Sequence, residues 1–204
     1  NRKLLRIRLR DIWIFACGGV LSIVFFNVCY FKAIELMSLS VAAILLYTAP
    51  IFVMLLSAVF FRERITRRKV VSIILAFCGC ILVSGILTDS VEMTTAGVLC
   101  GLGAGIGYAL YSIFSRVGLN RGYHSLTVTA YTFVFAAAGG ACLTDFGVVY
   151  RAVRERAGVS LYFVLFSAVT TILPYILYTA GLSRVENSKA SVIASIEPVV
   201  ATLL

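Results

Sequence analysis

Acidic residues are scarce in this chain: nine Asp and Glu stand against 18 Lys and Arg in 204 residues. Charge of either sign makes up 13% of the sequence, about half the share of a soluble domain. Histidine occurs once, at His124, in a polar connection. Each shortage closes a class of function. One imidazole leaves no partner for a histidine metal site. No base lies in the apolar stretches beside a serine that would act as an intramembrane nucleophile. The glycine-rich run Gly101–Gly107 lacks the G-x-G-x-x-G spacing and the preceding strand of a nucleotide loop. No lysine lies deep in the last apolar stretch, where a retinal would attach; Lys189 stands at its start. Six cysteines are present (Cys17, Cys29, Cys78, Cys80, Cys100 and Cys142), all inside apolar stretches, where thiols behave as small hydrophobes. The spacing Cys78-Gly-Cys80 points the two side chains apart on a helix. The composition therefore predicts no metal, no cofactor and no enzyme.

What the chain does have is long runs free of Lys, Arg, Asp and Glu. They cover Ile12–Phe31, Leu36–Phe61, Val70–Thr88, Met93–Ser115, Gly122–Thr144 and Ala157–Ser183, and a seventh begins at Ala190. The first six are roughly 19–27 residues each, enough for a helix to cross about 30 Å of hydrocarbon. The expected fold class is all-α: a polytopic membrane protein with seven membrane segments visible. The chain opens Asn-Arg-Lys and stops inside an apolar run at Leu204, so it reads as a portion of a longer protein.

The basic excess does not point to nucleic acid, because no basic helix is interleaved with aromatics. Instead the cations flank the apolar runs, where they meet anionic lipid headgroups and set orientation. Assigned to alternate sides, 14 fall on one: Arg2, Lys3, Arg6, Arg8 and Arg10; Arg62, Arg64, Arg67, Arg68 and Lys69; Arg116 and Arg121; Arg184 and Lys189. Four fall on the other, Lys32 and the segment Arg151, Arg154 and Arg156, which reads as a short amphipathic turn. The rich side, with the first residue of the chain, is expected in the cytoplasm, and the acidic connection Asp89–Glu92 outside.

The chain also repeats itself at an offset of about 148 residues. Tyr30 falls on Tyr178, Ser40 on Ser188, Ala42 on Ala190 and Pro50 on Pro198. By the charge rule, the run Ile12–Phe31 leaves the cytoplasm, whereas its partner, about Leu161 to Leu182, returns to it. The two copies are then inverted in the membrane, an architecture whose substrate site lies near the midplane between the copies.

Helical faces narrow the site. In the fourth segment Gly97, Gly101, Ala104, Gly105, Tyr108, Tyr111, Ser112 and Ser115 form one stripe, opposite Leu99, Leu102, Ile106, Leu110 and Ile113. Small and polar residues favour the protein-facing side. In the sixth, Ser167, Thr171, Pro174, Tyr178 and Gly181 form the matching stripe, and Pro174 breaks the backbone ladder with Thr170 and Thr171 nearby to satisfy freed carbonyls. By the offset, Asn27 corresponds to Tyr175. The expected cavity walls are Asn27, Tyr30, Tyr108, Tyr111, Ser112, Tyr175 and Tyr178, with helix breaks at Pro50, Pro174 and Pro198. Glu197 is the sharpest residue. If its helix starts near Ser188, it lies roughly 13 Å in, close to the bilayer middle, where a carboxyl is costly and functional by default. It can carry a proton, meet a substrate amine, or bond backbone groups freed by Pro198. Its repeat partner is Ala49. Lys32 and Glu35, three apart, read as a snorkelling ion pair, and Thr66 as a helix cap.

The stretch KAIELMSLSVAAILLYTAPIFVMLLSAVFFRERIT resembles the third and fourth helices of an EamA-type repeat of the drug/metabolite transporter superfamily. GLGAGIGYALYSIFSR resembles the first helix of its second repeat, and LYTAGLSRVENSKASVIASIEPVVATLL that repeat's third and fourth helices. A Glu beside the cytoplasmic end of the fourth helix, here Glu63, belongs to the same pattern. The resemblance implies ten helices in two inverted copies of five. Residues 1–94 are then the last three helices of the first repeat, and 95–204 the second repeat without its last helix. It also implies a secondary carrier of small metabolites, often amino acids or related compounds moved outward. Here Ala49 replaces the Glu often found before the Pro of the first copy. The expected function is thus export of a small organic metabolite, amino-acid-like or drug-like, across the cytoplasmic (inner or plasma) membrane by alternating access. A proton is the candidate coupling ion, and membrane lipid the surrounding partner. The rival classes are a seven-helix receptor and an intramembrane enzyme.

Overall fold

A computed structural model of the chain describes residues 6–83, 93–155, 159–197 and 200. The expected break at Pro198, the acidic connection Asp89–Glu92, and Arg2, Lys3 and Arg156 lie outside the described residues. Every regular element described is helical. Helix α1 runs Leu9–Leu36, α2 Leu39–Phe61, α3 Arg67–Val83, α4 Thr95–Asn120, α5 Ser125–Ala141, α6 Phe146–Glu155, α7 Leu161–Leu182 and α8 Asn187–Ala194. Among the described residues, α1, α2, α4 and α7 are long and apolar enough to cross a membrane, and α5 is a shorter apolar helix. Exposed side chains such as Leu55, Leu75, Leu99, Val134 and Leu177 suit a lipid-facing surface.

The bundle has two ends. At one, the Asp11 carboxylate at the start of α1 pairs with Arg121, just past α4, and accepts a hydrogen bond from Tyr123 at 2.7 Å. At the other, the Thr94 hydroxyl before α4 donates to the Leu36 carbonyl closing α1, at 3.3 Å. Helices α1 and α4 are therefore antiparallel. Arg116 of α4 bonds Asn187 at 2.7 Å and the Val185 carbonyl, so α7 finishes and α8 starts at the first end. Glu63 reaches Asn187 there too, bringing the close of α2 to the same end. The segments around Arg8, Arg62–Lys69, Arg116–Arg121 and Arg184–Lys189 thus gather at one end, as the charge count predicts.

Backbone irregularities recur at the sequence offset. Leu39–Leu46 and Asn187–Ala194 are both eight-residue helices, and the offset superposes them residue for residue. Each ends in a two-residue turn, Tyr47–Thr48 and Ser195–Ile196. Each of these eight-residue helices is preceded by a π-helical segment in its neighbour: Gly18–Val24 within α1 and Ala168–Ile172 within α7. Side chains support both. Ser22 donates to the Gly18 carbonyl at 2.6 Å and Asn27 to that of Ile23 at 2.7 Å; Thr170 donates to that of Phe166 at 2.8 Å. Such back-bonding competes with the regular ladder and bends it. Pro174 follows the second segment and withholds an N–H from it.

Packing is tightest where side chains vanish. A Cβ on Gly19 would meet the Ala136 nitrogen and the Thr132 carbonyl oxygen of α5 at 2.6 Å, so α1 and α5 touch backbone to backbone. In α4 the predicted inner stripe is buried from Gly97 to Ser115, with Tyr108 half-buried. Ile113, expected opposite, is buried as well, at 3% exposure. Helix α4 also continues past the charge-free run, through Arg116 to Asn120, because Arg116 finds partners on the connection to α8. In α7 the expected stripe does not hold: Ser167, Thr171 and Pro174 are exposed, while Thr179 and Leu182 are buried and Tyr175 is half-buried. The π segment adds a residue to the turn and rotates everything beyond it, so one helical period does not carry across it.

Two local expectations hold at helix ends, and the expected amphipathic turn is a ten-residue helix instead. Lys32 and Glu35 pair at 2.8 Å, exposed, and Thr66 accepts from the Lys69 N–H at 3.4 Å. The amphipathic segment forms α6, started by Asp145, which accepts from the Gly147 N–H at 2.8 Å. His124 caps α5 through the Leu126 N–H.

Candidate functional site

The turn that interrupts α2 and the turn that ends α8 face each other. Between them lies a small cavity of about 30 Å³, lined by Leu46, Tyr47, Ala49 and Pro50 from α2, Tyr108 from α4, and Ser191, Ala194, Ser195 and Glu197. Helix α2 breaks there because the Thr48 hydroxyl turns back to the Leu45 carbonyl at 2.6 Å and Pro50 supplies no N–H. The break sits against α4 at Gly105, where a Cβ would meet the Thr48 hydroxyl at 2.9 Å. Two interrupted helices therefore present backbone groups and one carboxyl to the same space.

Beside the cavity, α4 and α7 share a tyrosine cluster. The Tyr111 hydroxyl bonds Thr179 at 2.7 Å, and Ser112 bonds the Tyr178 hydroxyl at 2.6 Å. Tyr175 meets Tyr111 edge-on at 4.7 Å and Phe133 of α5 at 5.1 Å; Tyr108 meets Tyr178 at 6.1 Å. Edge-to-face rings give rigid, polar-tipped walls at low entropy cost. Tyr108, Tyr111, Ser112, Tyr175 and Tyr178 are thus brought together, and Tyr108 links them to Glu197 and Pro50. Asn27 and Tyr30 are not part of this cluster. The Asn27 amide is committed to its own helix, and Tyr30 stacks on Phe26 at 5.7 Å beside the apolar cluster of Ala33, Met37, Val41 and Ala42. Tyr47 and Tyr108, by contrast, line the cavity together with Glu197.

Toward the basic end a polar network closes the space. Glu63 accepts from the Asn187 N–H at 2.9 Å, from the Ser188 N–H at 3.4 Å and from the Ser188 hydroxyl at 2.5 Å. Arg62 takes the left-handed conformation, φ 56°, and turns the chain so that Glu63 points back at α8. Lys69 lies 3.5 Å from Glu63 and 3.0 Å from Glu186. Asn187, fully buried, also donates to the Ser112 carbonyl at 3.1 Å and accepts from Arg116. The hydrogen bond to Lys69 holds the Glu186 carboxyl below its ordinary range. Burial pushes the Tyr123 phenol up.

Comparison with known proteins decides what kind of bundle this is. The model of the EamA-like transporter family matches residues 1–85 and again residues 95–204. The chain belongs to the EamA-like transporter family. An uncharacterized transporter of Archaeoglobus fulgidus is 30% identical over 86% of this chain and 60% of its own length. The uncharacterized transporter YxxF of Bacillus subtilis is 30% identical over 93% of this chain and 59% of its own. The chain spans about three fifths of the length of these relatives. One solved crystal structure superposes with a TM-score of 0.75 over 98% of this chain and 68% of its own, at 18% identity, a likeness of fold. An EamA-type protein with apolar spanning helices is an integral membrane protein of a transporter family.

Within that family setting, several site residues escape a reading by composition and periodicity. Tyr47, Ser191 and Ser195 line the cavity, yet only the offset hints at them, by setting Tyr47 on Ser195. Asn187 and Arg116 sit at the edge of a charge-free run and look like ordinary headgroup residues. Asp11, 2% exposed, is hidden at the end of a basic N-terminal segment. Among the described residues no group of His, Cys, Asp and Glu is arranged to hold a metal.

Proposed function

We propose that this chain forms the larger part of a secondary carrier that moves a small organic metabolite, amino-acid-like or drug-like, outward across the cytoplasmic membrane by alternating access. Residues 1–94 and 95–204 are two related bundles inserted upside down relative to each other, with seven crossing segments between them and the basic end in the cytoplasm. The family model's two separate matches support the division. So do the recurrence of the eight-residue helices and π segments at the offset and the opposite directions of α1 and α7.

One observation carries the proposal: breaks at matched positions of α2 and of the segment after α8 meet over a cavity that contains Glu197. Paired interrupted helices free backbone donors and acceptors at the one depth where both copies contribute, as substrate sites of inverted-repeat carriers require. Tyr108, Tyr111, Ser112, Tyr175 and Tyr178 form the wall on the second copy's side. Glu197 couples movement to a proton: an ionisable carboxyl at that depth is costly to keep, and its default reading is functional. Vesicles carrying the full-length protein test the reading. Export of an amino-acid or drug panel that depends on pH in wild type, and loses that dependence in Glu197→Gln, is the expected result. Unchanged transport and unchanged pH dependence in the variant remove Glu197 from coupling. No export of any panel member removes the carrier reading.

A further inference from the structure

The network around Glu63 divides into two kinds of bond. Arg116 to Asn187, and Asn187 to the Ser112 carbonyl, join α4 to α8 within the second copy, and they persist if that copy moves as a body. Glu63 to Asn187 and Ser188, and Lys69 to Glu186, run between copies. They lie on the seam between α2 and α8, which is also the seam that holds the cavity. The Asp11 pairing with Arg121 is also between copies, but it lies on the seam of α1 and α4, away from the cavity. Opening the cavity toward the basic end must part α2 from α8 and so break the Glu63 bonds.

We propose that Glu63 is the latch of that end: its carboxylate caps the α8 N-terminus across the copies and holds the cavity closed, with Lys69 bridging it to Glu186. The physical basis is strong for its size. Glu63 satisfies two first-turn N–H groups and a hydroxyl at once, in favourable alignment with the helix dipole. Its side chain is 11% exposed and that of Lys69 10%, so water screens the pair little. Neither α8 nor the connection before it supplies a side-chain cap, since Glu186 caps nothing. When Glu63 leaves, those donors lose their protein partner and take water instead. The latch thus couples hydration of the α8 N-terminus to access. It rests on the carrier reading above, and it assigns to Glu63 a positioning role between two states rather than contact with substrate.

Side-specific labelling of the full-length protein tests it. The native cysteines are replaced, and one reporter is introduced by Ser191→Cys, at a buried position that lines the cavity. Inside-out vesicles then receive a membrane-impermeant maleimide on the cytoplasmic face. Glu63→Ala is expected to raise the labelling rate roughly tenfold, the scale of a typical coupling between two states. Glu63→Gln keeps one acceptor for Asn187 but loses the Lys69 pair, so it gives a smaller rise and serves if Glu63→Ala does not accumulate. A second reporter, Ala109→Cys, lies fully buried in α4 outside the cavity lining and must stay unreactive. An unchanged rate at Ser191→Cys in both variants overturns the latch. So does an equal rise at Ala109→Cys, which marks general loosening. Export by wild type with the reporter shut in every variant sinks the latch and leaves the carrier; failed export with a responsive reporter sinks the carrier alone.

Discussion

The interruption of α2 and the one beyond α8 are built on the same backbone, and they differ in what they bring to the cavity. Before Pro50 stands Ala49, 3% exposed, whereas its counterpart is Glu197. The paired π segments diverge in the same way. In α1 the segment buries Gly18, Gly19, Ser22 and Ile23 against α5; in α7 its counterpart buries nothing within this chain. Within the described residues the paired segments therefore share secondary structure and differ in packing and chemistry. Backbone breaks tolerate sequence change as long as a polar group or a proline occupies the turn. A charge or a backbone contact tolerates almost none. Matched positions should accordingly respond very differently to the same substitution.

The largest contrast is expected at the π segments. Gly19→Val must force α1 and α5 apart at a 2.6 Å contact with backbone atoms, which cannot rotate away. We expect a loss of about 3 kcal/mol or more, read as loss of monodisperse protein in detergent. Its counterpart, Ser167, is exposed, and Ser167→Val should change stability by less than about 0.5 kcal/mol. Equal effects at the two sites would mean that α7 is covered as tightly as α1.

The helix breaks give the next contrast. Ala49→Glu places a second carboxyl in a cavity of about 30 Å³, and a charge at membrane depth costs roughly 3 kcal/mol before repulsion from Glu197 is added. Thermal unfolding of the full-length protein should drop accordingly. Glu197→Ala, the reverse exchange, should leave the unfolding temperature unchanged or raised while it abolishes the pH response of transport. A stable Ala49→Glu protein would show that the copies are interchangeable at this point.

The tyrosines follow. Tyr178→Phe strands the Ser112 hydroxyl, which is fully buried, and should cost about 1–3 kcal/mol. Tyr30, its matched residue, is half-buried and held by stacking on Phe26, so Tyr30→Phe should stay within about 0.5 kcal/mol.

These contrasts also mark where sequence reasoning succeeds. The runs without charge locate apolar helices, four of which (α1, α2, α4 and α7) are long enough to cross a membrane among the described residues, because burial in lipid forces backbone groups to bond within the segment. The offset locates the paired breaks, since it operates on backbone pattern. The stripe on α4 was legible because that helix is regular from Thr95 to Asn120. The stripe on α7 was not, because its π segment shifts the period before Tyr175. Symmetry points Asn27 to the cavity wall, whereas its short amide reaches its own Ile23 carbonyl. The Glu63 network escaped composition entirely. Asn187 and Ser188 lie more than a hundred residues from Glu63, and each residue alone reads as an ordinary headgroup residue.

The smallest contrast concerns the residues that open the matched eight-residue helices. Ser38 accepts from the Val41 N–H at 3.4 Å, a neutral cap that neither pH nor salt should disturb. Glu186, its counterpart, caps nothing and instead pairs with Lys69 at 3.0 Å and Lys189 at 3.4 Å. The hydrogen bond to Lys69 lowers the Glu186 pKa from 4.5, so the folded state binds its proton less readily than the unfolded chain does. Its contribution to stability is full above pH 4.5 and disappears as pH falls through the lower folded value. Because Glu186 is 47% exposed, that contribution stays below about 1 kcal/mol after screening. The unfolding temperatures of wild type and Glu186→Gln should differ slightly at neutral pH, converge in acid, and converge again in high salt. The gap between wild type and Ser38→Ala should hold steady through both titrations. A Glu186→Gln gap that ignores acid and salt would mean the carboxylate serves α8 by shape, as Ser38 serves α2, and the two helix starts would then be alike in mechanism as well as in place.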